Sequence, residues 1–138
     1  MYEAIIELGY TPGLEANPDS EGAIQSEAGA IPEPIASALN EATNQHKPLF
    51  VQFTAEWCIA CRALEETTLN NPEVVATLSE YVVVKVDTDV SVEASAYFEV
   101  VGMPTLLVLD AEGLELTRLV GQIGPDALVS ELRSLLIE

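Results

Sequence analysis

Basic side chains are nearly missing: five Lys and Arg stand against 23 Asp and Glu, a formal net charge of −18 over 138 residues. A surface that acidic repels phosphate backbones and anionic head groups, which excludes nucleic acid as a partner. Long apolar runs are missing as well. No stretch approaches the ~18 uninterrupted apolar residues of a membrane span, so direct membrane insertion is not expected. Met1-Tyr2-Glu3 lacks a basic region leading into an apolar one, so a secretory signal is absent or already removed. Cysteine is confined to Cys58 and Cys61, one Cys-x-x-Cys with no thiol left for a long-range bridge. Such a pair is either two working thiols or half of a metal site. Structural zinc wants four ligands, and the chain adds one histidine, His46, which reads as the solvated end of a helix beside Lys47-Pro48. Neither metal nor organic cofactor is expected.

Apolar side chain is plentiful, at 49% of residues, enough for one core without staples. The first 34 residues differ from the rest, with four prolines, four glycines and no basic residue. Residues 1–33 read as an acidic, Pro/Gly-rich arm or linker, and residues 34–138 as the folded domain. Tyr2 to Tyr10 looks like the end of an amphipathic helix closed by Gly9.

From Pro34 the patterns become regular. Ile35, Ala38, Leu39 and Ala42 recur at helical spacing, and Lys47-Pro48 stops that helix. Leu49 to Phe53 and Tyr81 to Val86 read as buried strands, with a helix from Cys58 to Leu69 after the first. Asn71-Pro72-Glu73 is a helix start, Asn as cap and Pro in the first position, running to Leu78. A short helix capped by Ser91 reaches Phe98. Thr105–Leu109 and Leu114–Val120 form a hairpin through Asp110 to Gly113, and Pro125 to Leu136 is a closing helix. Strands alternating with helices imply an α/β mixed sheet with a parallel centre, an antiparallel C-terminal hairpin and helices on both faces.

The chemistry concentrates in Phe53-Thr54-Ala55-Glu56-Trp57-Cys58-Ile59-Ala60-Cys61. A strand feeds a short turn and the cysteines open a helix. At the helix start, unpaired N–H groups and the dipole favour an anion, which lowers the thiol pKa of Cys58 and makes it the attacking, exposed thiolate. Cys61 lies one turn deeper on the same side, shielded, and closes a disulfide with Cys58. A second segment, Val101-Gly102-Met103-Pro104-Thr105, puts a proline directly before a strand. Such a proline is either cis or part of an ordinary trans turn.

Trp-Cys-x-x-Cys after an apolar strand, then Met103-Pro104-Thr105, a hairpin, Gly121 and a last helix resemble the thioredoxin fold over Ile35 to Ile137. Within it, Cys58-Ile59-Ala60-Cys61 followed by Arg62-Ala63-Leu64-Glu65 looks most like the C-terminal domain of DsbD-type thiol:disulfide interchange proteins, as does Asn71-Pro72-Glu73. The resemblance implies a protein-disulfide reductase. Cys58 would be its nucleophile and Cys61 its resolving thiol, and Glu65 would carry the family's glutamate. It also implies a cis Pro104 facing the cysteines and a substrate surface of Trp57, Ile59, Met103, Pro104 and Gly121. Expected partners are protein thiols and disulfides and a membrane electron-donor protein. The domain itself is expected to be monomeric and, as part of a larger protein, periplasmic or extracytoplasmic; the alternative is cytoplasmic.

One departure matters. The family's buried aspartate on the strand before the site is here Gln52, which accepts no proton at neutral pH, so Glu65 or Glu56 would have to serve as proton carrier. Lys85 matches a thioredoxin lysine, or else snorkels from a strand end. A competing function is copper or heavy-metal handling, because Tyr2–Tyr10 resembles the last helix of heavy-metal-associated domains. If so, the chain was cut from a longer protein. A third reading is a redox-inert docking domain.

Overall fold

The computed structural model describes residues 31–136. The arm expected over 1–33 lies outside them except at its last residues, and the helix end expected at Tyr2–Tyr10 lies wholly outside.

The first helix, α1 (Ile35–Gln45), buries Ile35 and Ala42 and ends at His46. That residue takes a left-handed φ of 58° and returns its N–H to the last turn. His46 is solvent-exposed, as expected. Strand β1 (Leu49–Thr54) follows, then α2 (Ile59–Leu64) and α3 (Pro72–Leu78). The Asn71 side chain caps α3, its Oδ1 accepting from the N–H of Glu73 at 2.9 Å. Strand β2 (Val82–Asp87), α4 (Val92–Tyr97), the hairpin β3 (Thr105–Leu109) and β4 (Glu115–Val120), and α5 (Pro125–Ser134) complete the domain.

The four strands lie in the order β2-β1-β3-β4. The sheet is mixed: β1 pairs parallel with β2, and antiparallel with β3, which pairs antiparallel with β4. Alternation along β1 divides the core. Phe50 joins Leu106 and Val108 of β3 under Leu64, Val74, Leu128 and Leu132, which belong to α2, α3 and α5. Phe53 faces the opposite layer, its ring 6.3 Å from that of Phe98 just after α4. Each such fully buried side chain contributes about 1.5–3 kcal/mol.

Three local expectations need correction. The helix expected from Cys58 to Leu69 is not continuous: Glu65–Leu69 widens into a π-helical turn, with Asn70 N–H reaching Glu65 O at 3.0 Å. Thr68 within it donates its hydroxyl to Ile123 O at 2.6 Å, fastening the wide turn to the segment before α5. Strand β2 is not uniformly buried, and Val83 and Lys85 face solvent, because among the described residues it pairs on one side alone. Ser91 sits at the start of α4, but its hydroxyl makes no capping bond.

Candidate functional site

Strand β1 ends at Thr54, and a tight turn closed by Cys58 N–H to Ala55 O at 3.1 Å delivers the two cysteines to α2. Cys58 is the N-cap: its backbone is extended, and its Sγ accepts the N–H of Cys61 at 3.1 Å. A sulfur there takes the place of the oxygen that Ser or Asp supplies to an ordinary helix start. Cys58 and Cys61 are joined in a disulfide.

Cys61 is shielded as expected, 1% exposed, but Cys58 is nearly as covered at 4%. The exposure expected of Cys58 is therefore corrected. Ala55, Ala60 and Met103 pack around the sulfurs and leave only an edge open. Among the exposed apolar side chains, Trp57 at 64% and Ile59 at 78% flank Cys58 directly, and Val101 at 93% lies two residues before Met103. Met103-Pro104 is a cis peptide, as the resemblance implies, and Pro104 is buried. Its carbonyl accepts the N–H of Gly121 at 2.8 Å. Gly121 has a φ of 96°, which favours glycine, and the next residue, Gln122, donates its side-chain amide to Ala60 O at 2.7 Å. The loop after β4 thus holds both the proline segment and the cysteine helix.

Beside Trp57 opens a cleft of about 910 Å³ whose lining includes Glu56, Arg62, Glu65, Lys85 and Asp89. Glu65 is fixed there by two partners on the sheet. Lys85 Nζ lies 2.7 Å from its Oε2, and Gln52 Nε2 donates to the same oxygen at 2.7 Å. The Lys85 ammonium, with help from the Gln52 amide, holds the Glu65 carboxyl below its ordinary pKa against the opposing effect of burial. Glu56 is exposed on the rim of the cleft, where its backbone carbonyl accepts from Arg62 at 2.5 Å. Lys85 is thus an ion-pair partner, not a freely snorkelling strand end. Among the described residues, no three His, Cys, Asp or Glu side chains converge as a metal site would. No described helix is long and apolar enough to cross a membrane.

Two contributors escape sequence reading. Asp89 accepts the indole N–H of Trp57 at 2.7 Å, and Gln122 spans from the far loop to Ala60. Asp87-Thr88-Asp89 at a strand end carries a turn signal and nothing more. Gln122 carries none beyond standing next to Gly121.

The thioredoxin-like domain family model matches residues 35–136. The chain is 32% identical over 99 residues to a thiol:disulfide interchange protein DsbD of Citrobacter koseri, covering 66% of this chain and 17% of that protein. It therefore spans well under two thirds of that relative's length. The reduced C-terminal domain of Neisseria meningitidis DsbD superposes with a TM-score of 0.63 at 25% identity, over 72% of this chain and 92% of that one. A Thermus thermophilus thioredoxin gives 0.67 at 28% identity, over 77% and 85%.

Proposed function

This chain belongs to the thioredoxin-like domain family, and from that premise we propose that it is a thiol–disulfide oxidoreductase that works as a reductase of protein disulfides within a longer electron-relay protein. The observation that carries the proposal is a buried Cys-x-x-Cys pair flanked on either side of Cys58 by the exposed apolar side chains of Trp57 and Ile59. A partner chain covers those side chains and brings its own sulfurs to the open edge.

In the dithiol form, Cys58 as thiolate attacks one sulfur of the partner disulfide. That S–S bond breaks, the departing sulfur leaves as a thiolate and takes up a proton, and a Cys58–partner mixed disulfide remains. Cys61 then loses its proton, and its sulfur attacks Cys58 Sγ. The Cys58–Cys61 bond forms, the mixed disulfide breaks, and the partner leaves as a dithiol. Two electrons have passed to the partner. Burial of Cys61 at 1% exposure keeps it from reacting with the partner directly. Met103 offers backbone groups to the bound segment, and Trp57 and Ile59 supply apolar contact.

Regeneration needs a second dithiol, which we assign to a membrane-borne electron donor; we place the domain on the extracytoplasmic side, as a monomer. Support comes from the likeness to thiol:disulfide interchange proteins and from the small share of their length that this chain spans. A Cys61→Ser variant tests the reading: it accumulates a partner disulfide-linked through Cys58, while Cys58→Ser captures none. Capture by Cys58→Ser in place of Cys61→Ser contradicts the assignment, and capture by neither supports a redox-inert domain.

A further inference from the structure

Gln52 is a buried amide, 7% exposed, facing the functional site on a strand where every neighbour on β1 except Thr54 is apolar. Burying an amide costs free energy unless it is hydrogen-bonded. Gln52 stands opposite Lys85 in the parallel β1–β2 register, so both side chains emerge on one face of the sheet. Above them is Glu65, four residues beyond Cys61 and the first residue of the π-helical turn. One carboxylate oxygen, Oε2, takes both the Gln52 amide and the Lys85 ammonium at 2.7 Å.

We propose that Gln52 is a positioning residue that fixes Glu65 as a permanent anion behind the dithiol, so that Glu65 acts on the thiols by its charge and carries no proton. This rests on the thiol–disulfide reading above. An amide cannot exchange a proton near neutral pH, so Gln52 offers no relay. A carboxylate that accepts an ammonium and an amide on one oxygen is poorly placed to take up a proton. The remaining charged groups of the same cleft are Arg62 on α2, Glu56 before it, and Asp87 and Asp89 at the end of β2. None touches that oxygen. A fixed anion one helical turn from Cys61 disfavours a second anion there, keeping the resolving thiol protonated until the mixed disulfide forms. As that sulfur then attacks Cys58 Sγ, the proton it gives up goes to the partner sulfur that leaves as a thiolate, so the step balances without a carboxylate carrying the proton.

A double-mutant cycle on the reduced full chain tests this, reading the far-ultraviolet absorbance of the thiolates against pH. Glu65→Gln lowers the apparent thiol pKa by ~0.5 unit or more, because the like charge is gone. Gln52→Met keeps the side-chain length and lacks the donor; it shifts the pKa in the same direction by less, as the carboxylate swings toward Lys85 and solvent. Added to Glu65→Gln, it shifts nothing further. A Gln52→Met shift of equal size in both backgrounds, or none in the wild type, overturns the proposal. So does a wild-type rate profile with a carboxyl titration between pH 5 and 7 that Glu65→Gln abolishes, since Glu65 is then the proton carrier. Gln52→Leu replaces Gln52→Met if the latter does not fold. Exchange of the wild-type disulfide with dithiothreitol is measured alongside. Without exchange the thiol–disulfide reading falls and takes this inference with it; with exchange but no coupling, only this inference falls.

Discussion

The indole N–H of Trp57 donates to the Asp89 carboxylate at 2.7 Å, tying the residue before Cys58 to the turn beyond β2. The ring is held at the rim of the cleft, where the proposed reading lands a partner, with most of its apolar surface free. Asp89→Ala releases it. The expected result is a fall in kcat/KM toward a protein disulfide of about 3–10-fold, the size of one modest hydrogen bond, with the redox potential unchanged. Trp57 is the single tryptophan, so its fluorescence reports the release directly. Unchanged kcat/KM with altered fluorescence would mean that indole orientation plays no part in docking.

Gly121 and Gly102 separate two reasons for glycine on the same side of the site. A Cβ at Gly121 meets nothing within 4 Å, but the φ of 96° strains any other residue. Gly121→Ala therefore costs about 1–2 kcal/mol by chemical denaturation, from backbone alone. At Gly102 a Cβ meets the half-exposed Val120 Cγ1 at 3.1 Å with no positive φ. Gly102→Ala costs less, and Val120→Ala relieves it. Equal costs at the two positions contradict this division.

Stability should fall at both ends of the pH range. Lys85 beside Glu65 and Arg118 beside Glu115 hold both carboxyls below their ordinary pKa. The unfolded chain then binds more protons, and the stability these pairs add is present above the unfolded value and lost as pH falls through the folded one. Glu65→Gln and Glu115→Gln each flatten the acid limb. At the other end, burial pushes the Tyr81 phenol from 10.0 to about 12, with the nearby Glu131 charge adding to it. Here the folded state holds the proton longer, so stability declines as pH rises from the lower value through the higher. Tyr81→Phe removes that decline, and it costs about 1 kcal/mol at neutral pH because the phenol donates to Leu132 O at 2.7 Å. A pH-independent difference between the two proteins would rule the titration out.

Local signals make much of the domain legible in the amino-acid sequence. Asn71-Pro72 marks a helix start because the cap and the fixed proline φ act within one turn, and the Trp-Cys-x-x-Cys turn is legible for the same reason. The π-helical turn at Glu65 is not, because it depends on Thr68 reaching Ile123, 55 residues on. Val82-Val83-Val84 reads as a buried run, yet burial of β2 depends on what lies beside it in the sheet, which composition does not carry. The Gln52–Glu65–Lys85 cluster shows the same limit. Each residue stands out alone, but only the parallel register of β1 against β2 puts two of them under the third. Packing of Met103 against the cysteine pair likewise joins segments far apart in the chain, and the Cys58 sulfur expected at the surface is buried.

Direction of electron flow is tested most directly by equilibrating the protein with dithiothreitol or glutathione buffers and following the Cys58–Cys61 couple by Trp57 fluorescence. A strongly oxidising pair needs its thiolate stabilised by charge or donors between the cysteines, and Ile59 and Ala60 supply neither. Glu65 ionised one turn away, together with the acidic balance of the whole chain, disfavours the thiolate further. The reduced form gains little, so a reductase with a potential more negative than about −200 mV is expected, on the scale where thioredoxin lies near −270 mV. A potential near about −120 mV, where strongly oxidising dithiol proteins lie, would contradict it and make this domain an oxidase or isomerase.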